Sequence, residues 1–237
     1  MKKIMMIGYG AMAKTVASFL PDSIQIAWIV VPDDSIENIE KEVGHEVQVV
    51  SSVDEVIGTP DLVVEMAGPV GLRMHGPAIL EKGWNIGVIS MGTFTDDAFT
   101  EELRAIGQRS GAKVYLLAGA IAGVDGISAA KVMGLDRVVY EGRKNPRSWA
   151  GSKAEELCDL NHLKEATVFF KGTAREAASL FPANANVAAT LALAGIGLDE
   201  TEVELVADPT ISKNQHTVHA IGKFGEFSMK MAGVPLE

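Results

Sequence analysis

Six residues near the start of the chain constrain it more than any others. Gly8-Tyr9-Gly10-Ala11-Met12-Ala13 follows an apolar run, Lys3–Gly8, and opens Ala11–Leu20, whose apolar residues recur at helical spacing. A strand, a glycine turn and a helix start in immediate succession form the G-x-G-x-x-A version of the dinucleotide fingerprint. Gly8 permits the tight turn, Gly10 lets a pyrophosphate approach the backbone, and the small Ala13 allows close helix–sheet packing. The first turn, Ala11 and Met12 included, then offers free N–H groups and a positive dipole end to the phosphates. The plainer alternative is a generic strand–turn–helix, since glycine pairs are common.

The pattern continues as such a turn requires. Strand-like runs at Ile24–Val31, Val47–Ser51, Asp61–Ala67, Asn85–Ile89 and Lys113–Ala118 alternate with helical segments at Asp34–Val43, Asp54–Ile57, Gly71–Lys82 and Asp96–Ser110. Alternation of this kind predicts a doubly wound parallel sheet in about the first 120 residues. An acid that could meet an adenosine ribose falls just past the second strand, at Asp33 or Asp34, and a solvated loop acid explains it equally well. The reading leans to NAD over NADP, since no nearby Arg claims a 2′-phosphate, and either cofactor is allowed.

The second half is organised differently. Helical patterns are expected at Asp125–Met133, Lys153–Leu160, Ala174–Leu180 and Asn184–Leu193, the last with Asn184 as N-cap. Strands are expected at Arg137–Gly142, Thr167–Lys171, Glu202–Ala207, His216–Ile221 and Glu226–Met231, with RKNPRSW left irregular. The last three strands follow one another without crossover helices, which predicts an α+β domain on an open mixed sheet. The expected division is residues 1–120 for dinucleotide binding and 121–237 for substrate, catalysis and dimerisation, joined at the Gly/Ala-rich Ala118–Gly126.

Composition narrows the function. A formal net charge of −10 argues against a nucleic-acid surface and means that an anionic substrate needs local cations. Lys131, Arg143, Lys144, Lys171 and Arg175 are the candidates, each with solvated surface charge as its default role. The single cysteine, Cys158, cannot form an internal disulfide and is expected to be a small buried residue. The start breaks its apolar stretch too early for a secretion signal, and no window approaches the roughly 20 apolar residues of a membrane span. A soluble cytoplasmic protein is expected. The five histidines, at 45, 75, 162, 216 and 219, lack metal-site spacing, so no metal is expected.

Three features of the second half suggest chemistry. Ala118–Gly123 is a small-residue run that would let backbone approach a flat ring, or would simply pack tightly as a hinge. Phe181–Ala188 puts two Asn at a helix start; capping accounts for Asn184, and the Asn186 amide is left for a nicotinamide or a substrate. In Asn214–His219, a strand would send His216 and His219 to opposite faces, so only one can line a given site. On residues alone a structural His and a catalytic one both stand.

Taken in order, GYGAMA, DLVVEMAG, LLAGAIAGVDGISAAK, RKNPRSW, FPANANVAATLALAG and ADPTISKNQHTVHAIGKFGEF resemble bacterial L-aspartate dehydrogenases over essentially the whole chain. The resemblance implies oxidation of L-aspartate with NAD or NADP to iminoaspartate, which hydrolyses to oxaloacetate and ammonia; the reverse direction is equally allowed, and iminoaspartate is a precursor of NAD. It carries the acid/base histidine onto His216 and second-domain cofactor contacts onto Ala120 and Asn186. Family members usually continue past MAGVPLE with an Asn-Pro-Lys-Thr-Ser segment and a final helix, both absent from this sequence. A homodimer is expected, because open sheets of this kind often pair across a two-fold. The competing expectations are a homoserine dehydrogenase or dihydrodipicolinate reductase type of enzyme, and a non-catalytic nicotinamide-binding sensor.

Overall fold

The computed structural model describes residues 1–119, 121–182 and 186–234. The chain divides into two compact units, Met1–Leu117 and Ala118–Glu237.

In the first unit, β1 (Lys2–Ile7), β2 (Ile24–Val30), β3 (Gln48–Val50), β4 (Leu62–Glu65), β5 (Ile86–Val88) and β6 (Val114–Leu116) form one sheet in the order β3-β2-β1-β4-β5-β6, every pair parallel. The reversal of winding falls between β1 and β4, where ligands settle beyond the strand ends in such sheets. A strand covered on both faces reads as a continuous apolar run, and β1 does so: Met5 and Met6 point to opposite faces and both are fully buried. On one face α1 (Ala11–Ser18) and α2 (Asp33–Val43) pack around Ile4, Met6, Ala13, Ile29 and Val49. The other two helices are α3 (Gly68–Glu81) and α4 (Asp97–Ser110). The segment expected as a helix over Asp54–Ile57 is a single 3-10 turn, Val53–Glu55. The third helix starts three residues before its expected Gly71, because Pro69 in its first turn lacks only an N–H the helix would not use.

In the second unit, β7 (Leu135–Lys144), β8 (Thr167–Thr173), β9 (Glu202–Ala207), β10 (Asn214–Gly222) and β11 (Gly225–Gly233) form a sheet ordered β11-β10-β7-β9-β8. β7 and β9 are parallel and the other pairs antiparallel, so the sheet is mixed. The helices are α5 (Val124–Met133), α6 (Ala154–Leu157), α7 (Ala174–Leu180) and α8 (Asn186–Ala194). Val138, Tyr140 and Gly142 of β7, Val203 and Leu205 of β9, and His216, Val218 and Ala220 of β10 are buried on one face of the sheet. There α5 packs on β7 and β10, and α8 packs on α5 and α7.

Three local expectations need correction. RKNPRSW is not irregular throughout: Arg143 and Lys144 end β7, and Pro146–Trp149 is a 3-10 turn capped by the Asn145 side chain. The helix expected over Lys153–Leu160 shrinks to four residues, because Cys158 turns extended at φ −153°. Cys158 is also half-buried rather than buried, and burial with the Asp159 carboxylate beside it pushes its thiol up. Asn184, the expected N-cap, lies outside the described residues, and the described helix begins at Asn186.

Candidate active site

The first unit carries a cavity of about 740 Å³ at the carboxyl edge of its sheet, lined by Gly8, Tyr9 and Gly10, by Val30–Asp33, and by one face of α3. Gly8 sits at φ +87°, and a Cβ there would lie 2.9 Å from the Ala67 Cα, so the turn requires glycine twice over. Gly10, the N-cap of α1, has open space where a Cβ would project. It offers no capping side chain, and the first turn, with the exposed Ala11 and the half-exposed Met12, contains no acid. Backbone N–H groups at that end therefore fit a pyrophosphate. Of the two candidate ribose acids, Asp33 is the one lining this cavity.

Two features of this cavity escaped the sequence reading. Ala67, Val70, Gly71, Met74 and His75 line it at i, i+3, i+4 spacing, and Val70 and Met74 are exposed apolar side chains facing it. Burial lowers the His75 pKa. Behind the cavity, Glu65 is fully buried at the end of β4. Its Oε1 accepts from Ala67 N (2.9 Å), Gly68 N (2.8 Å) and Ser90 Oγ (2.8 Å), and its Oε2 from Ser90 N (3.1 Å) and Ile89 N (3.3 Å). One carboxyl group thus ties the turn after β4 to the turn after β5 through five donors.

The second unit builds a different constellation on its sheet. His216 of β10 pairs in register with Gly142 of β7, and its Nδ1 lies 2.7 Å from the Tyr140 hydroxyl. The two rings stack with centroids 6.0 Å apart. Gly142 makes this possible: a Cβ there would stand 2.8 Å from the Tyr140 hydroxyl and displace it. Burial pushes the phenol pKa well above its usual value, so Tyr140 stays protonated. Burial first, and the Lys144 charge second, push the His216 pKa down to about 4, which leaves a neutral imidazole at pH 7. His219 points to the opposite, exposed face, as strand alternation demands.

Lys144 lies on the same strand face as Tyr140, four residues on. Its Nζ is 5.0 Å from the centroid of Trp149, and burial lowers its pKa to about 8. Trp149 is fully buried, donates to the Val206 carbonyl at 3.1 Å, and meets Phe169 and Phe181 edge-on. The other candidate cations are engaged elsewhere: Arg143 with Glu141 and Asp208, Lys171 with Glu204, and Arg175 with Asp199. Lys131 stands exposed on α5. In the small-residue run, Ala122 N lies 2.9 Å from Sδ of Met231, the β11 residue paired with His216. Ala120 lies outside the described residues; Asn186 opens α8, where its carbonyl accepts from Thr190. Among the described residues no group of three or more His, Cys, Asp or Glu could hold a metal ion.

Residues 8–117 match the homoserine dehydrogenase NAD-binding domain family, and residues 125–237 match the aspartate dehydrogenase C-terminal domain family. Together with the all-parallel sheet and the Gly8 turn, these matches define a two-domain, NAD-binding oxidoreductase. The L-aspartate dehydrogenase of Acinetobacter baumannii is 56% identical over 236 residues, covering 100% of this chain and 90% of that protein; that of Serratia proteamaculans is 46% identical, covering 100% and 89%. The solved aspartate dehydrogenase of Thermotoga maritima superposes with a TM-score of 0.77 at 29% identity, over 98% of this chain and 89% of that one. The chain belongs to the L-aspartate dehydrogenase family. A dihydrodipicolinate reductase from Paenisporosarcina shares the fold, at TM-score 0.57 and 14% identity, over 98% of this chain and 88% of that one.

Proposed function

We propose that this chain catalyses the reversible oxidation of L-aspartate to iminoaspartate with NAD or NADP, followed by hydrolysis of the imine to oxaloacetate and ammonia. The observation that carries the reading is the buried, neutral His216 hydrogen-bonded to Tyr140, in a chain 56% identical over its whole length to an L-aspartate dehydrogenase. Gly8, Gly10, Ala11 and Met12 hold the pyrophosphate in this reading, with Ala120 and Asn186 as contacts from the second unit. When bound, the nicotinamide supplies the acceptor for the hydride that leaves the substrate Cα.

The protein's own part is proton handling and orientation. Oxidation needs a neutral amine, so a base must first take a proton from the substrate ammonium. With a proton on Nδ1 donated to the Tyr140 oxygen, His216 keeps a lone pair on Nε2 for that task. The same Nε2, once protonated, returns the proton as water adds to the imine and ammonia departs. Tyr140 orients the ring and supports its imidazolium form without giving up its own proton.

The small-molecule substrate fits a chain of formal net charge −10 only with local cations to hold it, and no helix among the described residues is long and apolar enough to cross a membrane. Two copies pair, in this reading, through the outer face of the second sheet, where Val139, His219, Ile221 and Ser228 line a shallow cavity of about 590 Å³. Absorbance of the reduced nicotinamide, with NAD or NADP and a panel of amino acids, tests the reaction. Reduction with L-aspartate, abolished in His216→Ala, is expected. Cofactor binding without reduction by any amino acid would overturn the reading.

A further inference from the structure

We propose that Glu65 is a positioning residue of the cofactor site, its carboxyl group holding Ala67 against the Gly8 turn and so fixing the backbone that meets the pyrophosphate. The inference rests on the cofactor reading above, in which Gly8 and Gly10 hold that group, and adds the part that keeps them in place. Glu65 ends β4 at the switch point of the sheet, in register with Ile7 of β1 and Val88 of β5. It is fully buried and does not itself line the cavity, so its effect on a ligand passes through its neighbours. Every other residue of β4 is Leu or Val. An apolar side chain would suit the buried position equally, without accepting from either turn.

The first neighbour is Ala67. Its N–H and that of Gly68 donate to Oε1 of Glu65 at 2.9 and 2.8 Å. These are the first donors of α3, whose N-cap, Ala67, has no capping side chain and whose Pro69 has no N–H. Glu65 therefore caps the helix from the strand before it. Ala67 is at the same time wedged between two glycines. A Cβ on Gly8 would stand 2.9 Å from both the Ala67 Cα and Cβ, and one on Gly71 would collide with that Cβ. A small shift at Ala67 thus reaches the Gly8 backbone directly, as close packing transmits it. The cavity wall moves with it, because Ala67 and the α3 residues Val70, Gly71, Met74 and His75 line one side. The second hold runs to the next strand. Oε1 also accepts from Ser90 Oγ at 2.8 Å, and Oε2 from the Ser90 and Ile89 N–H groups at 3.1 and 3.3 Å. The start of α3 is thereby pinned to the turn after β5 as well as to β4.

The test titrates NADH into the full chain by fluorescence, in wild type, Glu65→Gln, Ser90→Ala and Ile106→Ala, with urea unfolding to establish that each is folded under the assay conditions. Glutamine keeps the shape and one oxygen but turns an NH2 group towards donors, so one turn loses its acceptor. Ser90→Ala removes a single donor, and Ile106→Ala is a destabilised control, buried in α4 and outside the cavity lining. The Kd for NADH is expected to rise about tenfold in Glu65→Gln and about threefold in Ser90→Ala, and to change less than about twofold in Ile106→Ala. In turnover, Glu65→Gln should raise the KM for NAD by a similar factor with a smaller change in kcat. Should Glu65→Gln not fold, Ser90→Ala against Ile106→Ala decides the matter. NADH affinity equal to wild type, a loss no greater than in the control, or a fall in kcat at constant KM for NAD would each overturn the assignment. If wild type binds neither NADH nor NAD, the cofactor reading fails and this inference with it; variants that match a binding wild type overturn the inference alone.

Discussion

His216 should make the protein acid-sensitive by an amount that can be worked out from its site. Burial, and secondarily the Lys144 charge, lower its pKa to about 4, whereas the unfolded chain titrates near the ordinary value of about 6.5. Between those values the unfolded chain binds a proton that the folded chain refuses. The stabilisation is therefore fully present above about pH 6.5 and is lost as the pH falls towards 4. Comparing the two titration curves, a drop from pH 8 to 5.5 removes on the order of 1 kcal/mol through this residue alone. The lower value stays above the sequence pI of about 5.0, where loss of net charge invites precipitation. Urea unfolding of wild type and His216→Asn at both pH values isolates the term, because every other titrating group, His75 included, cancels in the difference. Wild type should lose on the order of 1 kcal/mol more than the variant. An equal loss in both proteins, or a ring resonance of His216 titrating near its ordinary pKa, would refute the reasoning. Lys144→Met should move that resonance towards a higher pKa, since one of the two causes is then gone.

Gly8→Ala should weaken NADH binding at least tenfold and lower stability by about 1–3 kcal/mol, measured by fluorescence titration and urea unfolding, because the residue is left at φ +87° with its Cβ 2.9 Å from Ala67. Asp33 lines the first unit's cavity, to which no Lys or Arg among the described residues contributes, so NAD should be preferred to NADP if the cofactor binds there. Asp33→Asn should shift the ratio of kcat/KM values towards NADP about tenfold, about 1.4 kcal/mol, and an unchanged ratio would exclude Asp33 as the discriminating group.

Much of the first unit could be read from the sequence because its signals are local. Apolar runs of four to seven residues, glycine turns and helical spacing each lie within a dozen residues, and parallel strands buried on both faces leave little ambiguity. The differences are local too: the helix start at Gly68-Pro69, and a 3-10 turn at Val53–Glu55 in place of a helix over Asp54–Ile57. Glu65 was visible as a residue at a strand end but not as a buried carboxyl group, since three of its five donors come from a loop 24 or 25 residues away that only the fold brings to it.

In the second unit the division is sharper. By itself the sequence determined that His216 and His219 take opposite faces, because a strand alternates, and that the unit is a mixed open sheet, because its last strands lack crossovers. It could not choose among five cations, nor find Tyr140 at all. Those choices depend on the pairing of β7 with β10, which brings together residues 76 apart in the chain. A slip of one residue in that register would carry Tyr140 and Lys144 away from His216 to the other face of the sheet. Only the packed structure, which buries one face and excludes the slip, decides that Lys144 rather than Arg143 stands on the His216 face of the sheet.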